Sequence, residues 1–383
     1  MNISESVKKL TKKVSIPLRK IILFESNPEL TGNTYAVYKE MVRRGINENY
    51  CMIWRVSDKS KYRDYSVKNV SFWDYEQKGF IQKLRWSFLK LTAKALIFEN
   101  RFFYKSWKNQ FTFNLTHGMP LKATKGYEEG DTCDYVLTGG RALDDVNSLG
   151  LKVPREKFIS LGYPRTDVLG KKSGVKKILG LESFKKLIVW MPTFRNHSLG
   201  VHFDGRQYTS GVPFVDSDEN YNKICNVLDK YNVCLIVKLH PVQNSENANK
   251  INSQKNFIFM KDSELGKTGV TTYELLADSD ALLTDYSNVY FDYLLTGNQI
   301  GLVIDDIDDY KNSRGFAVDY ENTVKGTYIK TIDGLLKFIN DVAMDIDISL
   351  KEREWAKQKW CDYDDFKSTE RVTDFIMDHL GLT

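Results

Sequence analysis

The sequence predicts an α/β protein made of two doubly wound, Rossmann-like domains, and three observations predict it. Short apolar runs rich in β-branched and aromatic residues recur along the chain, separated by helix-length amphipathic stretches. That alternation builds parallel sheets from βαβ units. The runs fall into two series, divided near the polar stretch "KKSGVKK" at 171–177. Finally, 383 residues exceed the usual size of one core, while 42% hydrophobic content suffices for two.

The first series comprises "IILFE" (21–25), "YCMIWR" (50–55), "KALIF" (94–98), "FTFNL" (111–115) and "DYVLT" (134–138). The second runs through "KFISL" (157–161), "KLIVW" (186–190), "VCLIVKL" (233–239), "NFIFM" (256–260), "DALLT" (280–284) and "QIGLVI" (299–304). Helices are expected in the gaps, at 34–44, 79–92, 218–231, 287–296, 332–341 and 348–360. The expected division is one Rossmann-like domain over 1–165 and a second over 166–383. In such sheets ligands sit beyond the carboxyl ends of the strands, so those ends are where chemistry is sought.

Composition narrows the classes. A formal charge of +5 is well short of a dedicated nucleic-acid binder. The five cysteines are widely spaced and include no CxxC, against a disulfide framework or zinc knuckle and in keeping with a reducing compartment. The N-terminal residues lack the apolar core and cleavage site of a signal peptide, and no run is long enough to span a membrane. Walker, GxGxxG, HExxH and GxSxG motifs are absent. The acidic group Asp305, Asp306, Asp308 and Asp309 reads as a solvated loop.

Two of the five histidines end strand-like runs. His117 opens "HGMPLK" and His240 closes "KLHP". Imidazole titrates closest to neutrality, which suits a general base, and Gly118 permits close backbone approach. The plain alternatives are a turn-capping His117 and a His240 held by a backbone carbonyl. In "TDYSNVYFDYLLTG" (284–297) a strand end meets a polar turn and a helix, so Thr284, Asp285, Ser287 and Asn288 are candidates for capping, phosphate binding or both. Thr193 and Arg195 follow "KLIVW", where arginine commonly clamps phosphate. Arg165 and Asp167 in "GYPRTD" read instead as loop-fixing residues.

Residues 78–94 hold Lys78, Lys83, Arg85, Lys90 and Lys94 without an acid, while Phe80, Leu84, Phe88 and Leu91 share a helical face. A second basic stretch spans 8–20. The first is the pattern of a helix lying on an anionic membrane; the alternative is an ordinary helix whose apolar face packs on the core.

Eight stretches in order, "LFESNPELTGNTYAVYKEM", "HGMPLK", "GYPRTDVL", "MPTFRN", "KLHP", "TDYSNVYFDYLLTG", "SRGFAVDYE" and "STERV", resemble the CDP-glycerol glycerophosphotransferases of teichoic acid and capsule synthesis. The resemblance implies a GT-B-like fold with two facing Rossmann-like domains and a cleft between them. It implies transfer of glycerol phosphate from CDP-glycerol to a hydroxyl of a lipid-linked acceptor, with release of CMP. His117 and His240 take the roles of base and donor-phosphate contact. Thr284, Ser287 and Asn288 fall at phosphate contacts, and Arg314 and Arg371 at further donor-side positions. It also implies a peripheral location on the cytoplasmic face of the bacterial membrane, with Lys83, Arg85, Lys90 and Lys94 as contacts. No nucleic acid, tightly bound cofactor or metal is expected, with Mg2+ at most stimulatory. The length is closer to members that add one unit or few than to polymerising members with a long N-terminal extension. Met119, Ala123, Thr166, Asn196 and "VKG" (324–326) depart from the family pattern. They leave CDP-ribitol or another CDP-polyol as alternative donors, and a nucleotide-sugar glycosyltransferase as an alternative reaction on the same fold.

Overall fold

A computed structural model of the 383-residue chain describes residues 13–100, 103–123, 133–193, 205–208, 210–239 and 254–382. It divides into two units. The first holds the chain up to Gly118, then Gly126–Asp167 and Asp362–Thr383; the second holds Met119–Lys125 and Val168–Cys361.

The first unit is built on a seven-stranded sheet of order β3-β2-β1-β4-β5-β6-β7, every pair parallel. Its strands are β1 (Arg19–Glu25), β2 (Cys51–Val56), β3 (Val70–Asp74), β4 (Ala93–Phe98), β5 (Phe111–Asn114), β6 (Tyr135–Thr138) and β7 (Phe158–Ser160). Helix α1 (Gly32–Arg43) crosses from β1 to β2, α2 (Phe80–Thr92) leads into β4, and α3 (Asp144–Leu151) lies between β6 and β7. Ile21, Leu23, Leu96, Phe98 and Val136 pack into its core. The expected division differs from the structure at the C-terminus, and one strand run changes series. The 157–161 run, counted with the second series, pairs with β6 and closes the first sheet. The C-terminal residues 362–383 also return to the first unit, because Asp167 accepts from the backbone N–H of Ser368 (2.9 Å) and Thr369 (2.7 Å) and so caps the final helix there.

The second unit has a six-stranded parallel sheet of order β10-β9-β8-β11-β12-β13. It comprises β8 (Lys186–Trp190), β9 (Val233–Lys238), β10 (Phe257–Met260), β11 (Ala281–Thr284), β12 (Gln299–Val303) and β13 (Thr327–Ile329). Between them lie α4 (Val175–Ile178), α5 (Asp218–Tyr231), α6 (Asp262–Lys267), α7 (Thr272–Asp278), α8 (Val289–Leu294), α9 (Ile307–Ser313) and α10 (Tyr320–Thr323). Helices α11 (Ile332–Ala343) and α12 (Leu350–Trp360) follow, and α13 (Ser368–Leu380) is the C-terminal helix of the first unit. Both strands absent from the sequence reading, β3 and β13, lie at sheet edges and are only partly buried, which removes the continuous apolar signal.

Parallel pairing sends all strand carboxyl ends of a unit to one edge. Strand order reverses between β1 and β4 in the first unit and between β8 and β11 in the second, and these switch points are where doubly wound sheets open a crevice. In the first unit two buried carboxyl groups fill that place, Glu25 at the end of β1 and Glu99 directly after β4. Glu99 Oε1 accepts from the Thr34 N–H at 2.6 Å, satisfying the start of α1. Gly32 makes room: its φ is +70°, and a Cβ there would lie 2.4 Å from Glu99 Oε2.

Burial pushes the Glu99 carboxyl up to about 8, against the opposing pull of the Thr34 N–H and of Arg165. A carboxyl with this shift binds its proton more tightly in the native state than in the unfolded chain. Native stability therefore falls as pH rises from the ordinary value of 4.5 to about 8 and is level above. Thermal melts across that window are expected to show this decline in the wild type and to lose it in Glu99→Gln.

Candidate functional site

In the first unit, His117 stands three residues beyond β5 on the carboxyl edge, next to β4. Its side chain is exposed, whereas the backbone leading to it is buried at Leu115 and Thr116. Thr116 takes φ +44°, the left-handed region that a β-branched residue rarely enters, and Gly118 follows at +133°. Three hydrogen-bond donors hold the strained turn. The Thr116 N–H donates to Asn114 Oδ1 (2.9 Å) and its hydroxyl to the Leu137 carbonyl (3.0 Å). The third is Asn33 Nδ2, which reaches the Thr116 carbonyl at 2.9 Å and also the Leu115 carbonyl at 3.0 Å. Asn33 was not singled out in the sequence. The signal was present, since "TGNTY" sets a Gly and an Asn where α1 begins after β1.

"HGMPLK" divides between the units. His117 and Gly118 belong to the first, and Met119–Lys125 to the second. There Lys122 forms an antiparallel bridge with Phe316, the Ala123 N–H donates to the Gly315 carbonyl (3.1 Å), and the Ala317 N–H donates to the Leu121 carbonyl (3.0 Å). Arg314, half-buried at the end of α9, directly precedes this pairing.

In the second unit the switch point is bridged. The Thr193 N–H and hydroxyl both donate to Asp285 Oδ1, at 2.9 and 2.6 Å, joining the ends of β8 and β11. Thr284 is fully buried and donates its hydroxyl to the Met191 carbonyl at 3.0 Å. Thr193, Thr284 and Asp285 therefore build the framework of this edge. Ser287 and Asn288 are half-exposed beside it, and Asn288 Oδ1 has no hydrogen-bond partner among the described residues. The helix expected over 287–296 is shorter, Val289–Leu294, which lengthens the polar turn. Lys238 at the end of β9 is buried and pairs with Asp262 at 2.5 Å, so it stays with the framework. Arg195 and His240 lie outside the described residues.

Arg371 lies in the first unit, where its guanidinium pairs with Asp365 (2.7 Å), donates to the Leu161 carbonyl (3.1 Å) and stacks 3.8 Å over the Tyr363 ring. These contacts fix the C-terminal segment. The acidic stretch after β12 is solvated only in part, with Asp308 and Asp309 exposed in α9. Asp306 is buried, accepting from the Tyr286 hydroxyl (2.9 Å) and the Arg206 N–H (2.9 Å), and burial pushes the Asp305 carboxyl up. Arg165 and Asp167 are structural, as read, but not as a mutual pair. The Arg165 N–H donates to Asn33 Oδ1 (3.1 Å), and its guanidinium lies 5.2 Å over the Tyr163 ring. Among the described residues no group of three His, Cys, Asp or Glu is placed to hold a metal ion.

The apolar stripe of helix α2 does not pack on the core of its unit. Trp86 turns inward towards Trp73 and Phe103, with the Arg55 guanidinium 5.0 Å over its ring. The apolar stripe faces outward: Phe80 is 79% exposed, Ile81 70%, Leu84 60% and Phe88 54%. At about 100° per residue these side chains and Leu91 share an arc of about 100°. Lys83 and Lys90 flank one side of it and Arg85 the other. Lys83 and Arg85 are exposed; Lys90, and Lys94 just past the helix, are half-exposed.

The comparisons with known proteins agree with this geometry. The sequence pattern of the CDP-glycerol:poly(glycerophosphate) glycerophosphotransferases matches residues 10–378. The chain is 26% identical to the teichoic acid poly(glycerol phosphate) polymerase of Bacillus spizizenii, over 84% of this chain and 83% of that one. It is 24% identical to the teichoic acid glycerol-phosphate transferase of Staphylococcus aureus, over 94% of both. Among solved structures, the wall teichoic acid polymerase TagF soaked with CDPG superposes with a TM-score of 0.72 at 20% identity, covering 99% of this chain and 94% of that one. A UDP-N-acetylglucosamine 2-epimerase from Listeria monocytogenes reaches 0.57 at 11% identity, over 95% and 98% of the two chains. These likenesses show the fold, two Rossmann-like units of the GT-B-like class. With its pattern matched over nearly the whole length, the chain belongs to the CDP-glycerol:poly(glycerophosphate) glycerophosphotransferase family, enzymes of teichoic acid synthesis.

Proposed function

We propose that the chain transfers glycerol phosphate from CDP-glycerol to a hydroxyl of a lipid-linked saccharide or polyol-phosphate acceptor, releasing CMP, with His117 as the general base. The observation that carries the residue assignment is the exposed imidazole of His117, set on a rigid buried turn at the carboxyl edge of a parallel sheet. His117 takes the proton of the acceptor hydroxyl as its oxygen attacks the β-phosphorus of the donor. The bond from that phosphorus to the bridging oxygen breaks, and CMP leaves with the electron pair. Ser287, Asn288 and Arg314 are assigned to the donor, together with Arg195 and His240. Such chemistry asks chiefly for positioning and for groups that offset charge on the phosphates. The switch points support placing the nucleotide on the second unit: buried carboxyls occupy the crevice of the first, and Glu99 already takes the Thr34 N–H at the start of α1 that a phosphate would otherwise meet. Magnesium is given no step, and adding it after chelation is expected to stimulate at most.

A membrane-surface location is proposed for α2. Its outward apolar arc flanked by cations matches a helix that buries its apolar face at the headgroup boundary while lysine and arginine meet anionic lipid. No helix among the described residues is long and apolar enough to cross a membrane.

Two measurements check these assignments. Acceptor-dependent CMP release from CDP-glycerol is expected to fall by about 10² to 10⁴ in His117→Ala, the usual cost of losing a positioned base, with donor binding retained. Full activity in that variant would remove the base assignment, and turnover with CDP-ribitol in place of CDP-glycerol would reassign the donor. In flotation with phosphatidylglycerol vesicles, Lys83→Glu and Lys90→Glu are each expected to weaken partitioning by at least about fivefold, from about 1 kcal/mol per cation. Binding indifferent to salt and to both reversals would overturn the membrane role of α2.

A further inference from the structure

The turn that presents His117 does not hold itself. Thr116 lies in a backbone region costly for a β-branched residue, and such strain persists only where the surroundings over-determine it. The Leu115 and Thr116 carbonyls are also taken from water at the strand end, and a buried carbonyl needs a donor. One side chain meets both demands. Asn33 is fully buried in the first turn of α1, 83 residues away in sequence, and its Nδ2 donates to the two carbonyls at 3.0 and 2.9 Å.

The orientation of this amide is set by its partners. Asn33 Oδ1 accepts from the Arg165 N–H at 3.1 Å, so reversing the group would face an oxygen with two carbonyls and an NH2 with an N–H. The base of the bracket is equally determined. The Glu99 carboxyl receives the Thr34 N–H and sits against Gly32, gripping the residues on either side of Asn33. Three strand ends thus converge on the approach to His117: β4 through Glu99, β5 through Thr116, and β7 through the loop carrying Arg165.

We propose that Asn33 is the positioning residue of this enzyme: it locks the Leu115–Thr116 turn and thereby sets the backbone from which the His117 imidazole meets the acceptor hydroxyl. The proposal rests on the reading of His117 as the base. Asn33 acts through His117 and touches no substrate. Its loss therefore lowers kcat and leaves donor affinity, a property of the second unit, unchanged. A misplacement of about 1 Å costs about a hundredfold in rate when a reacting group must be held in line.

The test compares full-length variants in acceptor-dependent CMP release, with CDP-glycerol affinity titrated in the absence of acceptor. Asn33→Asp keeps the shape and the acceptor towards Arg165 but removes the two donors. Asn33→Ala removes them without adding charge and serves where the aspartate variant does not fold. Asn47→Ala is the control for simple loss of a buried asparagine, since Asn47 is buried in the same unit and donates to the Lys68 carbonyl at 3.1 Å. Asn33→Asp is expected to lower kcat by about ten- to a hundredfold with unchanged donor affinity. In the His117→Ala background the same change is expected to cost nothing further, as for residues acting as one unit. Asn47→Ala is expected to keep wild-type kcat. Wild-type kcat in the Asn33 variants, a loss matched by Asn47→Ala, or the same fractional loss with and without His117 would overturn the proposal. Full activity in His117→Ala would instead remove the base assignment on which it rests, a result read independently of the Asn33 variants.

Discussion

In both units every strand pairs with its neighbours in parallel, and a parallel ladder imposes two things at once. Consecutive strands need a crossover, usually a helix, so each sheet is covered and its central strands become apolar throughout. All carboxyl ends also emerge at one edge, so residues far apart in sequence are delivered to the same place. The ends of β8 and β11 are 94 positions apart, and the Thr193–Asp285 hydrogen bonds join them. The approach to His117 draws on β4, β5 and β7 for the same reason.

The two switch points show how one architecture serves different ends. The first unit fills its crevice with Glu25 and Glu99 and gives the start of α1 an internal carboxyl, using up the donors that in other doubly wound sheets meet a phosphate. What remains there is a rigid platform. The second unit closes the gap between β8 and β11 with buried partners, Thr193 and Asp285, and places half-exposed Ser287 and Asn288 next to them. A platform suits a residue that must be aimed, and an edge lined by half-exposed polar groups suits a ligand that must be held.

Helix α2 belongs to the same logic of division. It is attached through Trp86 and Leu89, and its apolar stripe is turned away from the unit that carries it. Such exposure is unfavourable in water by about 25 cal/mol per Å² of apolar surface. Under the proposed membrane location, a bilayer headgroup region relieves it.

Continuous or alternating apolar runs such as "KLIVW", "VCLIVKL" and "IILFE" determined the strands, and 3.6-residue periodicity determined α5 and α11, because these patterns record local burial. The ordered motifs determined the family and marked His117, Ser287 and Asn288. Edge strands β3 and β13 escaped because partial burial weakens the pattern. Only the tertiary structure decided the return of α13 to the first unit, through Asp167 and the Ser368 and Thr369 N–H groups. It alone decided which way the α2 stripe faces, since periodicity defines a face but not what meets it. It likewise committed Thr193 and Asp285 to each other, removed Arg371 to an ion pair with Asp365, and set Asn33 under the turn before His117. Each of these depends on hydrogen bonds or packing between segments distant in sequence, and no local pattern encodes which partner a polar side chain will find.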